Sequence, residues 1–481
     1  MLVRTSHALL RRAGPRGAPA RSASSSADPQ LDPWPAHAGP IEEAVTLPAS
    51  WYTSPSAPPL ERRRVFGASW QLVGCAGAVA APGRYFAGAL APYRFLVARG
   101  DDGVLRAFHN VCRHHAAAVA AGSGSAEAFT CPYHGWTYDT RGRLRAAPRV
   151  KGIRAFRAAE WGLRPIAARE WGPFVFLWLG GGGAGQPPPL EDWLGDAGAR
   201  MAELGVLDPL VHVARRSYEI NCNWKVFCDN YLDGGYHVPV AHPELAGQLD
   251  LGAYSSALLG TGSVQTCAPE GGAGARLRGG RPAGYFFLYP NAMVNRYGPW
   301  MDLNVVTPLD TNRCRVDFDW WLEGGELRRR AEEQAAAVDG GAGAAAAAAE
   351  ALRGGWAGAG GGAGRLELTA PEAAGLPFVV ESLRSSHTVQ VEDVSLCEAV
   401  QAGLEEPSYG VGRYAPALEG PMFHFHRQIH AAVTGRGHSP ELGLAGARLP
   451  GQDGGGDGGG VEGGCNGGGG GGGCGGTAGC S

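Results

Sequence analysis

Short runs of apolar and β-branched residues alternate with Gly, Pro and Asp between residues 51 and 179. The clearest runs cover residues 70–73, 94–97 and 174–179. Short apolar runs that are bounded by turn-forming residues are typical of β-strands. The pattern therefore predicts a small all-β domain over residues 51–179.

A second, mixed pattern follows the Gly- and Pro-rich stretch 180–189, which we interpret as a flexible boundary. Helical periodicity appears at residues 221–232 and 391–404. Strands are predicted at residues 210–220, 285–288, 301–308 and 315–322. We therefore predict an α+β fold, in which the all-β domain precedes a mixed domain over residues 191–433 with an antiparallel sheet and helices.

Low-complexity tracts interrupt this second pattern near residues 271–280 and 335–364, and residues 452–481 are mostly Gly with three Cys. Such segments bury too little apolar surface to offset the entropy of ordering them. We expect loops in the first two tracts, with part of 335–364 able to form helix, and a disordered tail. Residues 31–50, rich in Pro and Ala, are expected to form a linker.

Composition narrows the partners and the compartment. The 481 residues allow two or three domains, and 42 Lys+Arg against 45 Asp+Glu give a formal charge of −3. This balance gives no argument for nucleic acid or a membrane surface, and no apolar run is long enough to span a bilayer. Residues 1–30 hold five Arg and many Ser and Ala, with no acid before Asp28, which is typical of a transit peptide. A basic unstructured tail is the alternative.

Two Cys–His pairs lie in the predicted β-domain. Cys112 and His114 form the first pair, and Cys131 and His134 form the second after sixteen intervening residues. Thiolates and imidazoles together suit zinc or a Rieske two-iron cluster, in which two Cys hold one iron and two His hold the other. A zinc finger would place both His on one helix. The β-prone run before each pair favours the cluster, with its two loops at the tips of β-hairpins.

A pair of histidines follows about a hundred residues later. His237 and His242 are five residues apart, and Pro239 between them disfavours a regular helix. Two His and one carboxylate form the facial triad of mononuclear non-haem iron oxygenases. Alone, the pair would be more typical of surface histidines, but its position after the Cys–His pairs favours iron.

The sequence around both sets of residues resembles the Rieske non-haem iron oxygenases. The likeness is carried by Cys-Pro-Tyr-His-Gly-Trp at residues 131–136 and by the Asn-Trp-Lys, Asp-Asn-Tyr and Tyr-His-Val elements within residues 223–238. It implies a 2Fe-2S cluster and a mononuclear iron. The cluster ligands would be Cys112, His114, Cys131 and His134.

The same resemblance implies that His237 and His242 bind the mononuclear iron with a third ligand far downstream. Asp393 matches that place and Glu392 is the alternative, although a solvated helix start would also explain an acidic pair. Electron transfer between subunits, and hence a homo-oligomer, is also implied.

Two positions depart from the family pattern. In the family, a carboxylate three residues before the first iron-binding His bridges the two metal sites, and Gly234 occupies that place here. Asp233 is our candidate for the bridge, with Asp229 as the alternative. His115 stands where many members carry Arg, so the hydrogen bonding near the cluster is expected to differ.

Longer runs, at residues 223–239 and 289–302, look like the choline monooxygenases of plant chloroplasts. This likeness implies that choline is oxidised to betaine aldehyde hydrate, the first step to glycine betaine, with electrons from reduced ferredoxin. It also implies the chloroplast stroma, with the mitochondrion as the alternative. Aromatic faces best hold a quaternary ammonium, so Tyr297 and Trp300 are candidates for the pocket wall.

Other functions remain open on the sequence alone. Another Rieske oxygenase, such as a demethylase of a betaine-like or carnitine-like substrate or an aromatic-ring hydroxylase, is the nearest alternative. An iron–sulfur electron carrier or a zinc-stabilised interaction module is the alternative outside the enzymes.

Overall fold

A computed structural model describes residues 31–35, 39–90, 92–180, 186–246, 254–267, 283–337, 364–370, 373 and 375–435. The predicted transit peptide (1–30), the tract 271–280 and the tail 452–481 lie outside the described residues. Of the tract 335–364, the structure describes residues 335–337 and Gly364.

An all-β domain forms the N-terminal part of the described chain. Its strands are β1 (Trp70–Cys75), β2 (Arg84–Leu90), β3 (Tyr93–Arg99), β4 (Leu105–His109), β5 (Ser123–Ser125), β6 (Ala128–Thr130), β7 (Thr137–Asp139), β8 (Leu144–Ala146), β9 (Pro165–Trp171) and β10 (Phe174–Trp178). Within the described residues, seven strands form a sheet in the order β1-β10-β9-β4-β3-β2-β5, and β6, β7 and β8 form a second sheet. Predicted runs coincide with β1, β3 and β10 to within a few residues.

A second, larger sheet belongs to the C-terminal part. Its strands are β11 (Leu210–Ile220), β12 (Ser255–Leu259), β13 (Gly262–Cys267), β14 (Ala283–Leu288), β15 (Ala292–Tyr297), β16 (Trp300–Pro308), β17 (Cys314–Glu323) and β18 (Glu367–Leu368). Among the described residues they follow the order β12-β13-β14-β15-β16-β17-β11-β18, with antiparallel neighbours. The predicted strands lie within β11, β14, β16 and β17, and the α+β fold is confirmed.

The helices lie before and around this sheet. They are α1 (Ser50–Thr53), α2 (Ala57–Arg64), α3 (Leu190–Glu203), α4 (Trp224–Tyr231), α5 (Val238–Ala241), α6 (Pro243–Ala246), α7 (Gly324–Ala337), α8 (Pro377–Leu404) and α9 (Gly420–Val433). Among the described residues, no helix combines the length and the apolar character that crossing a membrane requires.

Two helix predictions need correction at their starts. The predicted helix 221–232 begins at Trp224 because Asn223 is its N-cap, and the Asn223 side chain accepts a hydrogen bond from the Lys225 backbone N–H. The predicted helix 391–404 is only the second half of α8, which begins at Pro377. Proline fits the first turn of a helix, where its missing N–H costs nothing.

The segment predicted as a linker (residues 31–35 and 39–50, hereafter the N-terminal strap) differs from that expectation because it packs against the C-terminal domain. Trp34 is buried, and its indole lies edge-on to Phe423 of α9, with ring centroids 6.0 Å apart. Val45 forms a β-bridge with Arg413. Leu47 is also buried, and the backbone N–H groups of Thr46 and Ala49 donate to the carbonyls of Gly412 and Gly410. A few buried side chains and backbone hydrogen bonds, rather than a long apolar run, thus fix this segment.

Two large hydrophobic cores lie within the described part of the molecule. The larger core continues from the β1–β10 side of the first domain into the large sheet, where Phe174 packs edge-on against Trp321. A smaller core lies beneath the Cys–His loops and includes Phe108, Phe129 and Tyr138. The end of the β-domain that carries the Cys–His loops is thus packed separately from the interface between the domains.

Candidate metal centres and substrate cavity

The two Cys–His pairs come together at one end of the β-domain. Cys112 and Cys131 are buried, whereas His114 and His134 are exposed at the rim. The Nδ1 atoms of the two imidazoles are 3.1 Å apart. Two thiolates therefore face the interior and two imidazoles face solvent, so the set can hold one iron on each side of a cluster.

Tight turns present these side chains. In the first loop the Ala116 N–H donates to the Cys112 carbonyl, and in the second the Gly135 N–H donates to the Cys131 carbonyl, each at 3.0 Å. Ala116 and Gly135 both have positive φ, which Gly adopts without strain. Each turn thus holds the Cys and the His of its pair within one tight loop.

The two loops differ in their supporting strands. The second loop is the tip of the β6–β7 hairpin, as predicted, with Thr130 opposite Thr137. The first loop instead joins β4 to β5, which pair with other strands. The prediction of two hairpin tips is therefore wrong for the first loop, because β5 crosses over to β2 instead of returning alongside β4.

Two aromatic residues, Tyr138 and Trp136, contact the Cys–His pairs. The spacing of the Cys and His residues does not predict either contact. The Tyr138 hydroxyl lies 3.3 Å from the Cys112 sulfur and accepts a hydrogen bond from the Arg113 N–H. The Trp136 ring stacks on His114 at 4.9 Å. Partial desolvation, with His115 and His134 nearby, lowers the pKa of His114, which favours the neutral imidazole that binds metals.

A second candidate centre lies between α5 and α8. One ligand atom from each of His237, His242 and Asp393 lies within 4.8 Å of the others. The Asp393 carboxylate is 3.0 Å from His242 Nε2 and 3.6 Å from His237 Nε2. The three residues predicted from the sequence are thus brought together by the fold.

The turn before α5 aims the two imidazoles. Gly234 and Gly235 both have positive φ, and His237 caps the one-turn helix Val238–Ala241. Pro239 was expected to disfavour a helix here, but it lies in the first turn, where proline is tolerated. His242 follows the last residue of this turn, so both rings point to Asp393.

Carboxylates orient both imidazoles through hydrogen bonds to the ring nitrogen that faces away from the candidate centre. Asp233 accepts a hydrogen bond from Nδ1 of His237 at 2.6 Å, and Glu392 does the same for Nδ1 of His242 at 2.6 Å. Asn230 donates to Asp393 at 3.1 Å. Such partners fix the ring tautomer so that Nε2 is free for a metal. Glu392, our alternative ligand, therefore lies on the outer nitrogen of His242.

The electrostatics of this group favour a cation. The hydrogen bond to Asp393, with a further contribution from Glu392, raises the pKa of His242 to about 9. The surroundings thus stabilise positive charge, which a divalent metal supplies when the imidazoles are neutral.

The two candidates for the inter-site bridge have separate surroundings. Asp233 is held by His237 and by the backbone N–H groups of Gly235 and Tyr236. Asp229 accepts hydrogen bonds from Tyr52 at 2.7 Å and from His426 at 2.9 Å. Both carboxylates line a cavity of about 330 Å³ beside His237.

A larger cavity of about 530 Å³ reaches the His237, His242 and Asp393 side chains. Alternate residues of β15, β16 and β17 form one wall, as expected for side chains on one face of a sheet, and α8 forms the opposite wall. The aromatic residues of the wall include Tyr254, Tyr285, Tyr297, Trp300, Phe318, Trp320 and Phe378. Tyr297 and Trp300, our pocket candidates, are both among them.

Family models match both parts of the chain. The Rieske [2Fe-2S] domain matches residues 69–157. The catalytic domain of the ring-hydroxylating alpha subunit matches residues 207–349 and 367–435.

Whole-chain similarity agrees with these matches. The chloroplastic choline monooxygenase of Arabidopsis thaliana is 41% identical over 403 residues, which cover 81% of this chain and 83% of the relative. That of Amaranthus tricolor is 34% identical, with 82% and 79% covered. The fold is that of a crystallised quaternary ammonium Rieske monooxygenase in complex with an inhibitor, with a TM-score of 0.67, 24% identity, and 84% of this chain and 99% of the other covered.

The chain therefore belongs to the Rieske non-haem iron oxygenases. Within that family it is similar to the choline monooxygenases of plant chloroplasts. The donor sets fit the groups that the two domains imply. Two buried thiolates with two rim imidazoles suit the Rieske cluster, and two imidazoles with one carboxylate suit a mononuclear iron with open positions.

Proposed function

We propose that this protein is a monooxygenase that converts choline to the hydrate of betaine aldehyde, using O2 and electrons from reduced ferredoxin. The reaction would be the first step to glycine betaine and would take place in the chloroplast stroma. The observation that carries the proposal is an aromatic-walled cavity that reaches the His237, His242 and Asp393 group. Similarity to chloroplastic choline monooxygenases over most of the chain supports it.

The residues fall into two groups with different tasks. Cys112, His114, Cys131 and His134 would hold the 2Fe-2S cluster, and His237, His242 and Asp393 would hold the iron. When bound, the cluster supplies single electrons and the iron supplies the activation of O2. Asp233 and Glu392 keep the two imidazoles in the orientation that coordination requires.

The cavity wall binds and positions the substrate. A quaternary ammonium has no hydrogen-bond donor, and each aromatic face is worth roughly 0.5–2 kcal/mol to such a cation. The wall also keeps bulk water from the C–H bond that is oxidised. Asp233 is proposed to connect the two metal groups across a subunit boundary in a homo-oligomer, with Asp229 as the alternative.

The direct test is an assay of purified protein loaded with iron and sulfide. Metal analysis should give about three irons and two labile sulfides per chain. With reduced ferredoxin and O2, choline should be consumed and betaine aldehyde formed without formaldehyde. Formaldehyde release from glycine betaine or carnitine would indicate a demethylase and contradict the proposal, as would two irons per chain without any oxygenation.

A further inference from the structure

The large cavity contains a buried carboxylate that the metal site does not use. Asp302 lies on β16, is 5% exposed and faces the cavity. It accepts hydrogen bonds from the Tyr297 hydroxyl at 2.8 Å and from the side-chain amides of Asn295 at 2.7 Å and Asn304 at 3.2 Å. Three donors thus hold both oxygens in place.

This carboxylate lacks a cationic partner in the part of the chain that the structure describes. Its hydrogen-bond donors are neutral, and the described residues that line the cavity include no Lys or Arg. Buried carboxylates are ordinarily paired, because an unpaired buried charge is costly. A buried carboxylate with neutral donors only is suited to pair with the positive charge of a bound ligand.

Helix α4 connects the Asp302 carboxylate to the group formed by His237, His242 and Asp393 (hereafter the metal group). Asn230 donates to Asp393, while the next residue, Tyr231, donates to Asn295, which in turn donates to Asp302. Adjacent residues of one helix thus brace both groups. Asp302 and Asp393 therefore line one cavity whose two polar parts have a fixed mutual position.

A second buried polar group lies on the α8 wall. Gln390 is 3% exposed, lines the cavity, and its amide nitrogen has no hydrogen-bond partner among the described residues. It precedes Asp393 by three residues, about one helical turn, so the two share a face of α8. An N–H donor of this kind next to the metal group suits an alcohol oxygen.

We propose that Asp302 is the counter-ion of the substrate's quaternary ammonium and that Gln390 binds the hydroxyl group, so that the cavity selects a cationic alcohol over a zwitterion. This inference rests on the proposed function, which it narrows. A trimethylammonium group beside Asp302 also meets the Tyr297 and Trp300 rings. The carboxylate of a betaine or carnitine would find no Lys or Arg on the described cavity wall, and near Asp302 it would meet a second carboxylate.

The test compares three ligands of matched shape or charge. Choline, its neutral carbon analogue 3,3-dimethylbutan-1-ol, and glycine betaine are titrated into the metal-loaded protein by calorimetry, and turnover is measured in parallel. The wild-type protein should bind choline at least about tenfold more tightly than either other ligand. In Asp302→Asn the preference over the neutral analogue should fall to about twofold, with binding of the analogue unchanged.

Controls separate a local from a general effect. Asp310→Asn removes one carboxylate from an exposed turn, where it pairs with Arg313, and should keep the full preference for choline. Tyr297→Phe, which leaves the charge but removes one of its donors, should lose part of the preference. Gln390→Met should weaken the binding of choline at least about tenfold, because the hydroxyl group loses its donor, while the binding of tetramethylammonium stays unchanged.

The outcomes distinguish the inference from the proposed function. If Asp302→Asn keeps the wild-type preference for choline over its neutral analogue, the counter-ion assignment is wrong. If Gln390→Met weakens tetramethylammonium as much as choline, the hydroxyl assignment is wrong. If the wild-type protein prefers choline in binding but forms no betaine aldehyde, the counter-ion stands and the proposed reaction fails.

Discussion

Asp393 and Glu392 are adjacent on α8, yet their carboxylates contact opposite nitrogens of one imidazole, Nε2 and Nδ1 of His242. Successive residues of a helix are rotated by about 100°, so only one of them can point into the centre. The sequence could narrow the third ligand to this pair but could not choose within it, because the choice depends on how α8 is rotated against α5.

This arrangement predicts different effects for the two acids. Asp393→Asn should abolish iron binding at the mononuclear site, whereas Glu392→Gln should retain the iron with roughly 10- to 100-fold weaker affinity, as is typical for lost outer hydrogen bonds. Iron content after dialysis against a graded chelator measures both. Equal iron retention in the two variants would contradict the assignment.

The two metal groups should also be separable by spectroscopy. His237→Ala should keep the visible Rieske absorption but lose oxygenation, because it removes a ligand of the second centre only. Cys112→Ala should lose the cluster absorption. A His237→Ala protein with full turnover would rule out the iron assignment.

Asp302 makes the stability of the ligand-free protein depend on pH. Burial, opposed by three hydrogen bonds, raises the pKa of Asp302 from 3.8 to about 6. The folded protein therefore binds a proton on Asp302 more tightly than the unfolded chain does. The contribution of Asp302 to the stability of the fold consequently falls as pH rises between about 4 and 6. At neutral pH the ionised Asp302 lowers the free energy of unfolding by about 3 kcal/mol, since a shift of one pKa unit corresponds to about 1.4 kcal/mol.

Asp302→Asn removes that cost and keeps a similar shape, with the Tyr297 hydroxyl accepting a hydrogen bond instead of donating one. Without choline, the variant should be more stable than wild type at pH 7, and the gain should vanish near pH 4. Denaturant unfolding across this range measures it. A gain that does not change with pH would show that burial of the carboxylate is not the cause.

At the scale of elements, the glycine turn before α5 sets the positions of His237 and His242, the proposed iron ligands. Gly234 has a φ of +74°, and a Cβ there would lie 2.3 Å from the Leu418 carbonyl oxygen. A side chain at this position would therefore clash with the residue 418 backbone.

Gly234→Ala should therefore displace either the turn or the chain before α9. We expect a loss of several kcal/mol in stability, because a backbone clash adds to the strain of positive φ, together with weakened iron binding. Thermal unfolding and iron content measure the two effects. Gly403→Ala, on α8, is the matched control and should be nearly neutral, because a Cβ there would approach no other element of the described chain within 4 Å.

Strands were easier to predict than helices and loops. The runs at β16 and β17 carry their own signal because nearly every residue of both strands is buried. In β11 the second half alternates instead between buried and less buried residues, which is the period of a strand with one covered face. The first half of α8 is different, because its polar residues line a cavity and give no amphipathic period. Glu392 and Tyr138 contact His242 and Cys112, which are distant from them in the sequence, so motif spacing does not encode their roles.

At the scale of the whole molecule, a buried ion pair ties α2 to α4. Lys225 and Glu61 are both at most 3% exposed and form a salt bridge, and the Trp224 indole donates to the same carboxylate at 2.8 Å. The helix that braces both the metal group and Asp302 is thus anchored to the chain that leads into the cluster domain.

Lys225→Met should destabilise the protein by about 3–5 kcal/mol, because it leaves the Glu61 charge buried without its partner. Adding Glu61→Gln should recover much of that loss. Thermal unfolding of the single and double variants measures the coupling, and equal stability of the two would show that the pair contributes little.

The N-terminal strap is held in place by hydrogen bonds close to the predicted transit peptide. The Asp32 backbone N–H donates to Ser50 and its carbonyl accepts from Trp51, while the Trp34 indole donates to the Val45 carbonyl. If an import peptidase removes residues 1–30, a cut only a few residues further downstream would detach the indole from α9. The maturation site would then be constrained by the architecture of the finished enzyme as well as by the peptidase's own preference.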